Sequence, residues 1–210
     1  MPVTDTIKQA GAVAAGSPAR ATNLNLPNLL TLTRILLIPV FILLFSTPTP
    51  NRALAAAVIF AVAALTDMLD GYLARRRSEV TKLGRLLDPI ADKLLVVTGL
   101  ILLVQFQRVA GLLAILIIAR EVAVTGLRAV AAGQDIVLSA DPIGKYKMTA
   151  QVIAIVMLIL EDGVLPESWP LHEGGTVLLY VALGLGLLSG ARYLNTFWQE
   201  VGLKNTLRNQ

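Results

Sequence analysis

Four aspartates, Asp67, Asp70, Asp88 and Asp92, fall within the single stretch TDMLDGYLARRRSEVTKLGRLLDPIADK, with Arg75, Arg76, Arg77, Lys82 and Arg85 between the two pairs. On helices, residues three or four apart share a face, so each pair lines one side of its own helix. Carboxylate oxygens are hard ligands that suit Mg2+, Mn2+ or Ca2+. A zinc site has no support, because the chain contains no cysteine and its one histidine, His172, is far along the sequence. Gly71, Ala74 and Gly84 keep the two helix faces open, so backbones can approach closely and a ligand has room. Mg2+ is usually held by a few carboxylates together with substrate phosphates. The expected guest is therefore a phosphate or diphosphate, with Arg75 as an additional clamp. The plain alternative is four interfacial carboxylates paired with the five basic residues between them.

The elements that must carry these groups are apolar. The chain has 210 residues, of which 55% are hydrophobic and only 15% charged, against about 25% charged in an ordinary soluble domain. Its mean hydropathy is +0.70. Six segments are expected to span a membrane: 29–45, 53–70, 86–104, 110–131, 148–160 and 177–198, the fifth being short. The expected fold is all-α, a polytopic membrane protein of six transmembrane helices in one domain, residues 26–210. Residues 1–25 are rich in Ala, Gly, Ser and Thr and have no apolar core of a signal peptide. They read as a flexible or interfacial tail. A ten-residue connection makes the second and third spans antiparallel neighbours, and the four carboxylates then converge at one end of the pair.

Charge sets the orientation. With the N-terminus in the cytoplasm, nearly all Lys and Arg lie on that side, and only Arg52 and Arg108 fall in the opposite loops. The segment EDGVLPESWPLHEG has four acids and no Lys or Arg. This is a positive-inside pattern, with both termini and the aspartates cytoplasmic. The net charge of +4 suits anionic lipid headgroups and calls for no nucleic-acid partner. The segment NLPNLLTLTR places Pro27 in a first helical turn and repeats Asn28, Thr31 and Arg34 as a polar stripe. Further on, AREVAVTGLRAV and GKYKMTAQ put Arg120, Arg128, Lys145 and Lys147 in or beside spans, where cations are functional by default. Glu121 offers an ordinary ion-pair partner for Arg120.

The series Asp67-x2-Asp70-Gly71-x2-Ala74-Arg75-x8-Gly84-x3-Asp88-x3-Asp92 resembles the complete motif of the CDP-alcohol phosphotransferases. What the resemblance implies is transfer of a phosphatidyl-type group from a CDP-linked donor to an alcohol, with release of CMP. It assigns Asp67, Asp70 and Asp88 to Mg2+ or Mn2+, and Asp92 as the base, also close to metal. It places Asn28, Thr31, Gly71, Arg75, Thr81 and Gly84 around the CDP donor. Arg120, Arg128, Lys145 and Lys147 then form a second anionic pocket for a phosphate on the acceptor, which a neutral alcohol such as choline would not need. NLPNLLTLTRILLIPVF, AREVAVTGLRAV and GKYKMTAQ are similar to the bacterial branch that joins CDP-diacylglycerol to sn-glycerol 3-phosphate. That resemblance favours a homodimer in a bacterial inner membrane, in contact with its lipids. Inositol phosphate or phosphatidylglycerol are the competing acceptors.

Two other classes compete. A divalent-cation transporter would carry acids near mid-membrane and often internal repeats; here the acids sit at one end and no repeat is visible. A structural scaffold explains neither Gly84 nor the spacing. Trp169, Trp198, Tyr193 and Phe197 read as interface anchors, His172 as a loop residue, and Gly184 and Gly186 as a close-packing or dimer contact.

Overall fold

The computed structural model describes residues 26–47, 49–77, 82–134, 136, 142–161, 163–166 and 168–208; within them, side chains 26–28, 30, 67–77, 82–89, 92 and 202–208 lie outside the described set. The described residues form six helices and no strand: α1 (Leu26–Phe45), α2 (Pro50–Arg77), α3 (Lys82–Gln105), α4 (Gly111–Gly133), α5 (Pro142–Ile159) and α6 (Leu171–Arg208). Each expected span corresponds to one helix, but several helices overrun their apolar runs. α2 continues through Ala74, Arg75, Arg76 and Arg77, which are good helix formers despite their polarity. The connection to α3 is therefore four residues, 78–81, not ten. α5 begins at Pro142, a residue suited to a first helical turn, so Lys145 and Lys147 lie inside the helix. α6 runs for 38 residues, about 57 Å at 1.5 Å per residue.

Two helices are long and apolar enough to cross a membrane among the described residues, Pro142–Ile159 and Leu171–Val201; α1, α2 and α3 carry shorter apolar stretches, Thr31–Phe45, Pro50–Thr66 and Lys93–Gln105. α4 is interrupted by Arg120, Glu121 and Arg128.

The core follows from the spacing of residues on each helix. On α1 the buried positions are Thr31, Arg34, Ile38, Phe41 and Phe45, a 3-4-3-4 series along one face. They pack on α2, whose inward positions are mostly alanine: Ala53, Ala56, Ala57, Phe60, Ala63 and Ala64. Such small side chains let two helices approach closely. Phe41 stacks on Phe45 at 5.9 Å and meets Phe60 at 5.5 Å. α3 passes the same region at Gly99, where an added Cβ would lie 3.0 Å from the Phe60 ring and 3.3 Å from Ile155 of α5. α5 and α6 form the most extensive pair. There an added Cβ on Gly175 would meet Leu158 at 2.7 Å and the Ala154 carbonyl at 3.2 Å.

A charged clamp closes the end of the bundle away from the aspartates. Arg108, in the α3–α4 connection, is buried at 7% exposure. Its Nη1 donates to the carbonyls of Leu158 (2.8 Å) and Ile159 (3.2 Å), at the C-terminus of α5. These carbonyls lack partners further along the helix and carry the negative end of its dipole, so a guanidinium satisfies both needs. Arg108 Nε pairs with Glu161 at 3.3 Å, and His172 Nδ1 lies 2.9 Å from the other Glu161 oxygen. The guanidinium also lies 5.2 Å from the Phe45 ring centroid. Arg108 and Glu161 together thus join the ends of α1, α5 and α6. His172 is in the first turn of α6 rather than in a loop, and Glu161 is its neighbour.

Replacing Arg108 with Met removes this clamp and leaves buried carbonyls unpaired. The expected cost is about 2–3 kcal/mol, seen as a fall of roughly 5–10 °C in the thermal midpoint of the detergent-solubilised protein. An unchanged midpoint contradicts the clamp.

Candidate active site

Asp67 and Asp70 lie in the C-terminal half of α2, and Asp88 and Asp92 in the first half of α3. Gly71 and Arg75 are on α2 and Gly84 on α3, while Asn28 is in the first turn of α1. The side chains of all these residues lie outside the described residues, as does Thr81 entirely. The two helices touch one another and both touch α1 and α5. Among the described residues no group of three or more His, Asp or Glu side chains comes together. All-carboxylate donors fit a hard divalent cation.

Around this pair the described side chains are informative. The polar stripe of α1 faces inward: Thr31 and Arg34 are each 1% exposed. Arg34 Nε donates to the Ala63 carbonyl of α2 at 3.2 Å. In helix geometry that carbonyl is also the partner of the Asp67 amide, four residues on. Arg34 thereby fixes the turn of α2 that delivers the first aspartate.

The second group of cations divides. Arg120 and Lys147 come together across α4 and α5, and Glu121 binds both: Arg120 Nη1 donates to Glu121 Oε1 at 2.9 Å, and Lys147 Nζ pairs with the same oxygen. Arg120 Nε also donates to the Gly186 carbonyl of α6 at 2.8 Å. Gly186 makes this possible, since a Cβ there would sit 3.2 Å from Arg120 Nε and 3.4 Å from Lys147 Cδ. Its close contact is thus inside the bundle, while Gly184 has open space beside it. Arg128, two turns further along α4, donates from Nη2 to the Tyr193 hydroxyl at 2.8 Å. Tyr193 is buried, not an interface anchor, whereas Trp169 and Trp198 are exposed. Lys145 is exposed near the start of α5 and stands apart from the Arg120–Glu121–Lys147 group.

A narrow cavity of about 40 Å³ lies between α3, α4 and α5, lined among others by Lys93, Val96, Glu121, Lys147 and Gln151. Val96 is one turn after Asp92, and Asp92 one turn after Asp88, so the cavity continues the face of α3 that carries both aspartates. On α5, Lys147 and Gln151 are one turn apart and both buried. Gln151 and Lys93 are absent from the sequence-based assignment. The i, i+4 relation of Gln151 to Lys147, and the adjacency of Lys93 to Asp92, were the available signals.

The chain matches the family model described as CDP-alcohol phosphatidyltransferase over residues 24–188. Curated relatives cover most of it. A Bacillus subtilis (strain 168) protein named CDP-diacylglycerol–glycerol-3-phosphate 3-phosphatidyltransferase is 41% identical over 86% of this chain and 99% of its own length. Proteins of the same name from Escherichia coli (strain K12) and Wigglesworthia glossinidia brevipalpis are 41% and 36% identical, over 81% and 85% of this chain and 93% and 97% of their own lengths. Together with the aspartate motif and the inward cations, these matches show that the chain belongs to the CDP-alcohol phosphatidyltransferase family and is a phosphatidyltransferase.

Proposed function

We propose that the protein transfers a phosphatidyl group from CDP-diacylglycerol to sn-glycerol 3-phosphate, giving phosphatidylglycerophosphate and CMP. The observation that carries this reading is the cavity between α3, α4 and α5, lined by Lys93, which follows Asp92 in the chain, and by Glu121 and Lys147, with Arg120 bonded to Glu121. A phosphorylated acceptor needs both ends of such a site, a base for its hydroxyl and cations for its phosphate. The relatives' names agree with this choice of donor and acceptor.

In this reading Asp67, Asp70 and Asp88 hold Mg2+ or Mn2+, with Asp92 close by. The ion, when bound, neutralises the diphosphate and the charge that builds on the departing CMP. Asn28, Thr31, Gly71, Arg75, Thr81 and Gly84 surround the donor. Asp92 accepts the proton of the acceptor's primary hydroxyl as its oxygen attacks the lipid-side phosphorus in line. Arg120 and Lys147 hold the acceptor phosphate, with Arg128 and Lys145 further out along the approach. Glu121 keeps the two inner cations in place and offsets part of their charge. Alignment of the two substrates supplies much of the rate.

All six helices cross the membrane in this reading, with both termini and the aspartates cytoplasmic. Outward-facing Leu36, Leu43, Ile115 and Leu112 are more than 60% exposed, and surrounding lipid removes a cost of about 1.5–3 kcal/mol for each such side chain left in water. The distribution of Lys and Arg supports the orientation. The lipid tails of donor and product remain in the bilayer while the cytidine stays in water. A bacterial inner membrane and a homodimer complete the proposal.

With Mg2+, CDP-diacylglycerol and glycerol 3-phosphate, the purified protein is expected to release CMP, and EDTA to stop the release until Mg2+ or Mn2+ is restored. Asp92→Asn should lower turnover by about 10²–10⁴-fold while donor binding stays within a few-fold; activity that survives the change removes Asp92 as the base. Turnover with inositol phosphate or phosphatidylglycerol but not glycerol 3-phosphate overturns the acceptor, and cation flux into liposomes without CMP release favours a transporter.

Arg120→Met and Lys147→Met are each expected to raise KM for glycerol 3-phosphate by about 10- to 100-fold, a loss of one charge-assisted hydrogen bond. Lys145→Met should raise it far less. Equal effects of all three would argue against an inner pair.

A further inference from the structure

Gln151 is 3% exposed, and its amide nitrogen has no hydrogen-bond partner among the described residues. A buried amide without a partner is costly and uncommon, and such groups call for an explanation. Gln151 belongs to the wall of the cavity shared by Lys93 and Val96 of α3, Glu121 of α4 and Lys147 of α5. The other charged groups of that wall are matched differently, since Glu121 pairs with Lys147 and Arg120. The amide is thus a neutral group able both to donate and to accept, one helical turn from an anion-binding lysine. On the opposite wall, Lys93 directly follows Asp92 in the chain.

We infer that Gln151 reads the secondary hydroxyl of the glycerol phosphate acceptor, and so acts as its specificity-determining residue. This rests on the proposed function above. Between a primary hydroxyl near Asp92 and a phosphate at Lys147 and Arg120, one carbon of glycerol 3-phosphate remains, and it bears a hydroxyl. Gln151 lines the same cavity as Lys147 and as Lys93, the residue next to Asp92 in the chain. A site built to bond a hydroxyl rejects the analogue without it, because its own polar group is then left unpaired. An apolar side chain at this position would confer no such preference.

The test compares glycerol 3-phosphate with 3-hydroxypropyl phosphate, which keeps the primary hydroxyl and the phosphate and lacks the secondary hydroxyl. Wild-type protein is expected to prefer glycerol 3-phosphate by about 10- to 100-fold in kcat/KM, the range of one hydrogen bond in a closed site. Gln151→Met, of similar length and without the amide, should reduce the preference to within about threefold. KM for CDP-diacylglycerol should be unchanged, and the thermal midpoint equal or higher, because an unpartnered polar group has been removed. If Gln151→Met does not fold, Gln151→Asn, whose amide is one methylene short, should lose most of the preference instead. A variant that keeps the full preference overturns the inference, as does a wild-type protein that does not discriminate between the two acceptors. A wild-type protein that releases no CMP with either acceptor overturns the proposed function itself.

Discussion

A guanidinium or ammonium group set among apolar helices must find an oxygen to face, because neither lipid nor a packed core replaces its water. Each inward cation described here does so, and the choice of oxygen determines how the helices sit. Arg34 takes a main-chain carbonyl of α2. Arg108 takes the last carbonyls of α5 and a carboxylate. Arg120 takes a carbonyl of α6 and shares Glu121 with Lys147. In every case a long side chain is tied to the backbone or an acid of another part of the bundle. Apolar packing between such helices is non-directional and would tolerate sliding. These bonds fix register, and register is what a reaction between two bound phosphates requires.

The same accounting separates two kinds of charge in the molecule. Arg108 faces only protein groups and works as a fastener. Arg120 and Lys147 share the Glu121 carboxylate, and in the proposed reaction they also receive the acceptor phosphate. The aspartates of α2 and α3 are the inverse case, since in the proposed reaction they would hold a hard cation.

Much of this was legible in the sequence. The aspartate motif could be read because its meaning depends on intervals, and helical intervals survive whatever surrounds them. The six helices could be read from apolar runs. Their ends could not, because α2 continues through Arg75–Arg77 and α5 starts well before its apolar stretch. Which face of each helix turns inward was also hidden. On α5 the outward Ile153 is as apolar as the inward Ala154 and Ile155, so the contrast that marks a core face in a soluble helix is missing. Lys145 and Lys147 consequently looked equivalent, although two residues apart on a helix point in widely different directions. Glu121 was read as a partner for Arg120, and its hold on Lys147 depends on how α4 meets α5, which no local pattern encodes.

Gly184 and Gly186 illustrate how unequal two identical letters can be. The first borders empty space, while the second gives up its side chain so that an arginine from α4 can lie against the α6 backbone. Selection on this family would therefore police one position of the pair strictly and leave the other to drift, even though neither residue has a side chain.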